Sequence, residues 1–141
     1  WDYTLSSDII YRRKNIGGIL SAAYSIRGKN ALNYDFGNVF GGQASLFYRK
    51  QGNGVTFLFE VGVMYTHLQS DYDLRFNEEQ VYTSGDMLSP IIKITSVAEK
   101  WSFFAMANHA AYQNLGQGRV KQHFQLDIGA TYFLPTTNKM K

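Results

Sequence analysis

Three histidines, eleven acidic side chains and no cysteine are what this 141-residue chain offers to acid–base, nucleophilic or metal chemistry. Without cysteine there is no thiolate nucleophile, no disulfide framework and no Cys-based metal site. His123 and Asp127 share one face of a period-two pattern, which invites a His–Asp pair, but four residues along a strand span about 13 Å and forbid a direct hydrogen bond. His109 sits in Asn108-His-Ala-Ala-Tyr-Gln-Asn, where no serine adjoins it, so a base there has no nucleophile to activate. Asp71, Asp73, Glu78, Glu79 and Asp86 stand against Arg75 alone between Gln69 and Asp86. That run lacks the glycine and ligand spacing of a calcium loop, and reads as a solvated loop. No catalysis, cofactor or metal is expected.

Eight other titratable residues fall on one face. Arg49, Glu60, Lys93, Lys121, His123 and Asp127, together with Asp8 and Arg12, project to the polar side of their segments. Charges enclosed on that side need partners or water, and Glu60 and Lys93, on neighbouring antiparallel segments, could pair. The functional counterpart is a charged lining that selects solutes.

The segments that position these residues are strands. Val55 to His67 places Val55, Phe57, Phe59, Val61, Val63 and Tyr65 on one side, with Thr56, Leu58, Glu60, Gly62, Met64 and Thr66 on the other. Val120 to Leu134 divides the same way, with Phe124, Leu126, Ile128, Ala130 and Tyr132 opposite Gln125, Asp127, Gly129 and Thr131. A helix cannot produce that separation. Segments near 2–12, 16–27, 38–50, 87–98 and 101–114 repeat it, which predicts seven long strands. Their lengths exceed the usual five or six residues of a soluble sheet and fit the roughly 9–11 that cross a bilayer. Tight connections at Arg13-Lys14-Asn15, Gln51-Gly52-Asn53-Gly54 and Glu99-Lys100 alternate with long polar ones at 28–37, 69–86 and 114–119. Short turns at one end and long loops at the other are the habit of outer-membrane barrels.

Ten Phe, ten Tyr and two Trp make up 16% of the chain, and their spacing is regular. Tyr3 and Tyr11, Phe40 and Tyr48, Phe57 and Tyr65, and Phe124 and Tyr132 are each eight residues apart on the apolar side. At ~3.3 Å per residue and a tilt of about 40°, eight residues rise roughly 20 Å, close to the apolar band of a membrane barrel. Two girdles are expected. Tyr11, Tyr48, Phe57, Trp101 and Tyr132 lie toward the short turns, and Tyr3, Tyr24, Phe40, Tyr65 and Phe124 toward the long loops. A mean hydropathy of −0.26 does not oppose this, because membrane strands alternate apolar with polar residues.

The alternation, the girdles and the closing run His123-Phe-Gln-Leu-Asp-Ile-Gly-Ala-Thr-Tyr-Phe-Leu together resemble Gram-negative outer-membrane β-barrels. Leu126-Asp-Ile-Gly-Ala-Thr-Tyr-Phe-Leu is also similar to a strand of transporter-like barrels associated with aromatic-compound degradation. The resemblance implies an all-β, antiparallel up-and-down transmembrane barrel and an outer-membrane location. It further implies lipid and lipopolysaccharide as neighbours, and a non-enzymatic pore or transport role for small solutes. Barrel enzymes that deacylate lipid A pair a histidine with a serine; the run around His109 departs from that pattern.

Seven strands break the even number of such barrels, and Phe133 is followed by a polar tail, 135–141, or a turn to a further strand. The expectation is a barrel domain over 1–134, part of a barrel of eight or more strands and incomplete on its N-terminal side. A further strand of a longer chain, or a partner chain, would complete it. Trp1 follows no initiator Met, basic or apolar leader, so the chain reads as beginning after a processing site or inside a longer protein. Two other functions fit the composition. One is a small closed barrel whose loops bind a partner or envelope component. The other is a soluble lipocalin-like carrier with Phe57, Phe59 and Tyr65 turned inward. Nucleic acid is not an expected partner: net charge is only +3, and the basic groups Arg12-Arg13-Lys14, Arg49-Lys50 and Lys100 gather at the short-turn end, suited to anionic headgroups.

Overall fold

The computed structural model describes residues 2–116 and 121–134. Alternating β-branched, aromatic and small polar residues form seven long strands: β1 (Asp2–Arg13), β2 (Ile16–Arg27), β4 (Val39–Gly52), β5 (Val55–Leu68), β8 (Gly85–Ala98), β9 (Trp101–His109) and β11 (Phe124–Tyr132). Short strands β3 (Tyr34–Asp35), β6 (Asp71–Asp73), β7 (Glu78–Gln80) and β10 (Tyr112–Leu115) lie in the connections. The long strands form one antiparallel meander in the order β1-β2-β4-β5-β8-β9-β11. No pairing joins β1 to β11 among the described residues, so the sheet is open rather than a closed barrel.

All three short connections are two-residue turns, with Arg13 opposite Ile16, Gly52 opposite Val55 and Ala98 opposite Trp101. Each turn contains a residue in the left-handed region: Lys14, Asn53 with Gly54, and Glu99. Asn-Gly at positive φ matches the twist of the flanking strands.

The register keeps every apolar set on one face. Tyr3, Leu5, Ile9 and Tyr11 align through β2 and β4 with the odd residues of β5, and these align through β8 and β9 with the even residues of β11. This face is exposed: Leu46 is 65% accessible, Val61 56%, Ile92 61% and Ile128 76%. The opposite face holds Ser45, Phe47, Glu60, Ser89, Ile91 and Asn108, all buried. A single sheet buries one face unaided only by curling toward it, so the polar face is concave and the apolar face convex. Two glycines allow the curl. The Phe47 ring lies over Gly17 and the Phe104 ring over Gly129, where a Cβ would collide with each ring. All ten predicted girdle aromatics occupy the convex side. Trp101 and Tyr132 pack with ring centroids 4.8 Å apart at the short-turn end, and Phe40 and Tyr65 lie 6.4 Å apart at the other.

Three expectations change. The sixth segment, predicted as one strand over 101–114, breaks at Ala110-Ala111. Asn108 opposes Ile91 but Tyr112 opposes Leu88, which is one residue more on the β9–β10 side than on β8. That extra residue is a bulge, and it carries Tyr112 onto the convex face. The last strand begins at Phe124, so Lys121 and His123 precede it instead of projecting from it. Val120 and the tail 135–141 lie outside the described residues. The segment 69–86, expected as a solvated loop, is ordered: β6 pairs with β7 on one side and with β3 on the other in a second, three-stranded sheet, with Asp71 and Asp73 buried and Glu78 and Glu79 exposed.

The acidic residues there have structural work. Asp71 accepts hydrogen bonds from the Tyr34 hydroxyl at 3.0 Å and the Gly37 amide at 2.7 Å, and its own amide donates to Thr83 Oγ1. Asp73 accepts from Arg75 Nε at 3.0 Å, Nη2 at 2.7 Å and the Arg75 amide. The Arg75 side-chain hydrogen bond holds the Asp73 carboxyl below its ordinary value of 3.8, against the opposing effect of burial. A depressed carboxylate lends stability above its ordinary pKa and loses it as pH falls through the lowered value. Amide protection over residues 71–80 is therefore expected to hold between pH 7 and 5 and to decline below about 3.8. Hydrogen exchange corrected for intrinsic rates checks this. In Arg75→Gln the decline should shrink or disappear, because the folded carboxyl is no longer held below its ordinary value; an unchanged profile would remove Arg75 from the account.

Candidate functional site

Register, not spacing along the chain, assembles the charges of the concave face. Arg12 opposes Gly17, Gly17 opposes Phe47, Phe47 opposes Glu60, Glu60 opposes Lys93, Lys93 opposes Met106 and Met106 opposes Asp127. Arg12, Glu60, Lys93 and Asp127 thus lie on one transverse row, with alternating sign, across all seven long strands. Arg49 shares the face two residues nearer the short-turn end, where its Nη2 donates to Gln51 Oε1 at 3.2 Å.

Glu60 and Lys93 are register partners but do not form the expected ion pair. Glu60 Oε1 accepts from Ser45 Oγ at 2.6 Å and from Gln43 Nε2 at 2.9 Å, both on β4. Lys93 Nζ turns the other way and stands 5.6 Å from the centroid of the Phe104 ring on β9. Two neutral donors on β4 hold the carboxylate through Oε1, and the ammonium gains the negative face of an aromatic ring. Asp127 accepts from Gln125 Nε2 at 2.9 and 3.0 Å.

Of the six lumen-facing candidates, the concave strand face carries Arg49, Glu60, Lys93 and Asp127. Lys121 and His123 lie in the segment before β11, where the His123 carbonyl accepts from the His109 ring, so Nδ1 of His109 carries its proton. His109 is on the convex side, across the sheet from the nearest buried serine, Ser89.

Neutral polar residues do more here than the sequence reading assigned to them. Gln122 donates through Nε2 to Asn108 Oδ1 at 3.1 Å and to Gln125 Oε1 at 2.8 Å, while its amide donates to Gln113 Oε1 at 2.8 Å. Asn108, Gln113 and Gln125 all belong to the concave face, so residues 121–123 are fastened onto it. Ser89 and Asn108, 0% and 3% exposed, lie in the same region. The signal available in advance was the amide content of 108–125, which a search for charged residues passes over.

At the long-loop end of the convex face, Asp86 Oδ1 accepts from the Tyr65 hydroxyl at 2.5 Å and contacts His67 Nδ1 at 2.8 Å. This trio contains no serine, threonine or cysteine. Among the described residues no three His, Cys, Asp or Glu side chains gather closely enough to hold a metal ion. What the arrangement can do is electrostatic: a row of fixed charges of both signs, held by strands, on a concave polar surface. No protein-family model, no curated protein and no solved structure matches this chain.

Proposed function

We propose that this chain forms part of an integral outer-membrane β-barrel of a Gram-negative bacterium, acting without chemical catalysis as a pore or transport protein for small solutes. The observation that carries the reading is the inverted burial of the sheet. A continuous apolar face over seven strands is exposed, while on the opposite face Ser45, Phe47, Glu60, Ser89, Ile91 and Asn108 of the central strands are buried. In water such a face is unfavourable at about 25 cal/mol for each Å², and monomeric soluble proteins rarely expose apolar patches beyond a few hundred Å². Hydrocarbon removes the penalty, and the aromatic residues at both ends suit the two interfaces. The soluble calyx needs Phe57, Phe59 and Tyr65 inside, whereas they stand on the convex side, opposite to Glu60.

Transport would be passive. Arg12, Glu60, Lys93 and Asp127 form a row of fixed charges, inclined to the membrane plane by the strand tilt, that attracts or repels a passing ion, and lipid and lipopolysaccharide surround the wall. Membrane fractionation tests the first half: the protein should stay in the membrane through an alkaline carbonate wash and leave it only in detergent. Release by the wash alone would end the barrel reading. Conductance tests the second half. Planar bilayers containing the purified protein should show discrete steps, and Lys93→Glu should move selectivity toward cations. A silent bilayer would favour another role, in which the wall is an anchor and the loops bind. The observation favouring that role is the ordered β3-β6-β7 sheet, beside which Phe76, Val81 and Tyr82 are exposed. Eight strands would leave an interior filled by side chains, and sixteen or more an aqueous channel.

A further inference from the structure

The bulge at Ala110-Ala111 gathers neutral polar side chains on the concave face. Asn108 opposes Ile91 and Gln113 opposes Met87, two residues of β8 that share their face with Ser89 between them. Without the extra residue, positions 108 and 113 would point to opposite sides of a strand. With it, both carboxamides face inward. Gln125 opposes Asn108 on the other side. Ser89, Asn108, Gln113 and Gln125 thus form one patch, on the long-loop side of Met106 and Asp127.

Two features mark the patch as a place for a ligand. Ser89 Oγ and Asn108 Nδ2 are buried and have no hydrogen-bond partner among the described residues. Buried polar groups are rarely left so, and both of these can donate to an acceptor. The second feature is Gln122, which is seated on the patch as an amide. Gln113 grips its backbone twice: Oε1 accepts from the Gln122 amide at 2.8 Å, and Nε2 donates to the Gln122 carbonyl. The Gln122 carboxamide donates to Asn108 Oδ1 at 3.1 Å and to Gln125 Oε1 at 2.8 Å. Among the described residues no backbone-to-backbone hydrogen bond holds 121–123. Side chains hold the segment, as they would a bound molecule.

We propose that this patch is a binding site for an uncharged amide solute, such as a short blocked peptide, which takes the place of Gln122. The seated Gln122 carries the inference, because it displays the pattern the site satisfies: a paired N–H and C=O on Gln113, and an NH₂ shared by Asn108 and Gln125. An entering amide supplies the same groups, and a further carbonyl gives Ser89 Oγ and Asn108 Nδ2 the acceptor that Gln122 does not. The side chains that hold Gln122 are all neutral, so an ion seated there would lose its water without gaining a counter-ion. Neutral hydrogen bonds have a modest net strength in water. Binding is therefore weak and release fast, as passage along a pore requires. The proposal rests on the reading of the concave face as a solute path and names the class of solute.

The probe is N-acetylglutamine N-methylamide, titrated into the detergent-purified protein and followed by ligand-observed NMR. It should bind with an affinity that added salt leaves unchanged, since no charge takes part. Gln122→Ala removes the competing carboxamide and should tighten binding by roughly fivefold or more. Ser89→Ala should weaken it by roughly threefold to tenfold. That variant should keep its thermal stability, because the hydroxyl has no partner to lose. A structural role for Ser89 would instead lower stability and leave affinity unchanged, and that result would overturn the proposal. So would absence of binding to both the native chain and Gln122→Ala, which would leave water as the partner of Ser89 and Asn108. Tighter binding of glucose, or of free zwitterionic glutamine, would equally overturn it by assigning the site to another class of solute. Failure of the transport reading appears elsewhere, as a silent bilayer or as release in the carbonate wash.

Discussion

Val61→Arg is expected to lower folding stability in a lipid bilayer by about 2–4 kcal/mol, the cost of a basic side chain facing hydrocarbon at the midplane of a membrane barrel. Val61 lies four residues from Phe57 and four from Tyr65, midway between the two aromatic levels of β5, and is flanked on the convex face by Leu46 and Ile92. It is 56% exposed. In a soluble protein a substitution at so exposed a site changes stability by about 0.5 kcal/mol or less. The two environments therefore differ by roughly tenfold to several-hundredfold in the folded-to-unfolded ratio, at about 1.4 kcal/mol for each factor of ten. Reversible urea unfolding in phospholipid vesicles would measure it. A position nearer a girdle supplies the internal control: Phe57→Arg should cost less electrostatically, because a long basic side chain there reaches the headgroups. Equal costs at the two depths, or no cost at Val61, would contradict burial of the convex face in hydrocarbon.

Glu60→Ala is expected to cost about 1–3 kcal/mol, since it orphans two polar groups, the buried Ser45 hydroxyl and the Gln43 amide. The informative measurement is the pair of double-mutant cycles. Glu60→Ala with Ser45→Ala should show coupling of about 0.5–3 kcal/mol, as expected for residues in one hydrogen-bonded network. Glu60→Ala with Lys93→Ala should show little, because Lys93 faces the Phe104 ring instead of the carboxylate. If the second cycle returned the larger coupling, the ion pair suggested by sequence spacing would be the real one. A further distinction is available in conductance. Both single substitutions remove a charge from the same row, so both should shift ion selectivity, in opposite senses, whatever their effect on stability.

The seven long strands, the places of the three tight turns and the division of residues between faces were legible in the chain. A period-two pattern is a local property: each side chain's face follows from its neighbours along the strand, and Gly and Asn mark the first two reversals. Where the pattern failed, the cause was an interaction at a distance. Ala110 and Ala111 give no local sign of a bulge, because the extra residue is defined by the β8 strand opposite. Asp71 and Asp73 read as solvated carboxylates until Tyr34, Gly37 and Arg75 are placed around them.

The candidate site divides in the same way. Sequence alone assigned Arg49, Glu60, Lys93 and Asp127 to the polar face, and the ten girdle aromatics to the other. Only the tertiary structure placed Arg12, Glu60, Lys93 and Asp127 on one row, turned Lys93 away from Glu60, and left β1 and β11 running the same way at open edges. The physical reason is register. A two-residue turn sets the register of its own hairpin, but across the long connections β2–β4, β5–β8 and β9–β11 a slip of two residues preserves every face and changes every neighbour. Alternation therefore determines which side of the wall a residue occupies, and the hydrogen-bonded ladder between distant strands decides which residues it meets there.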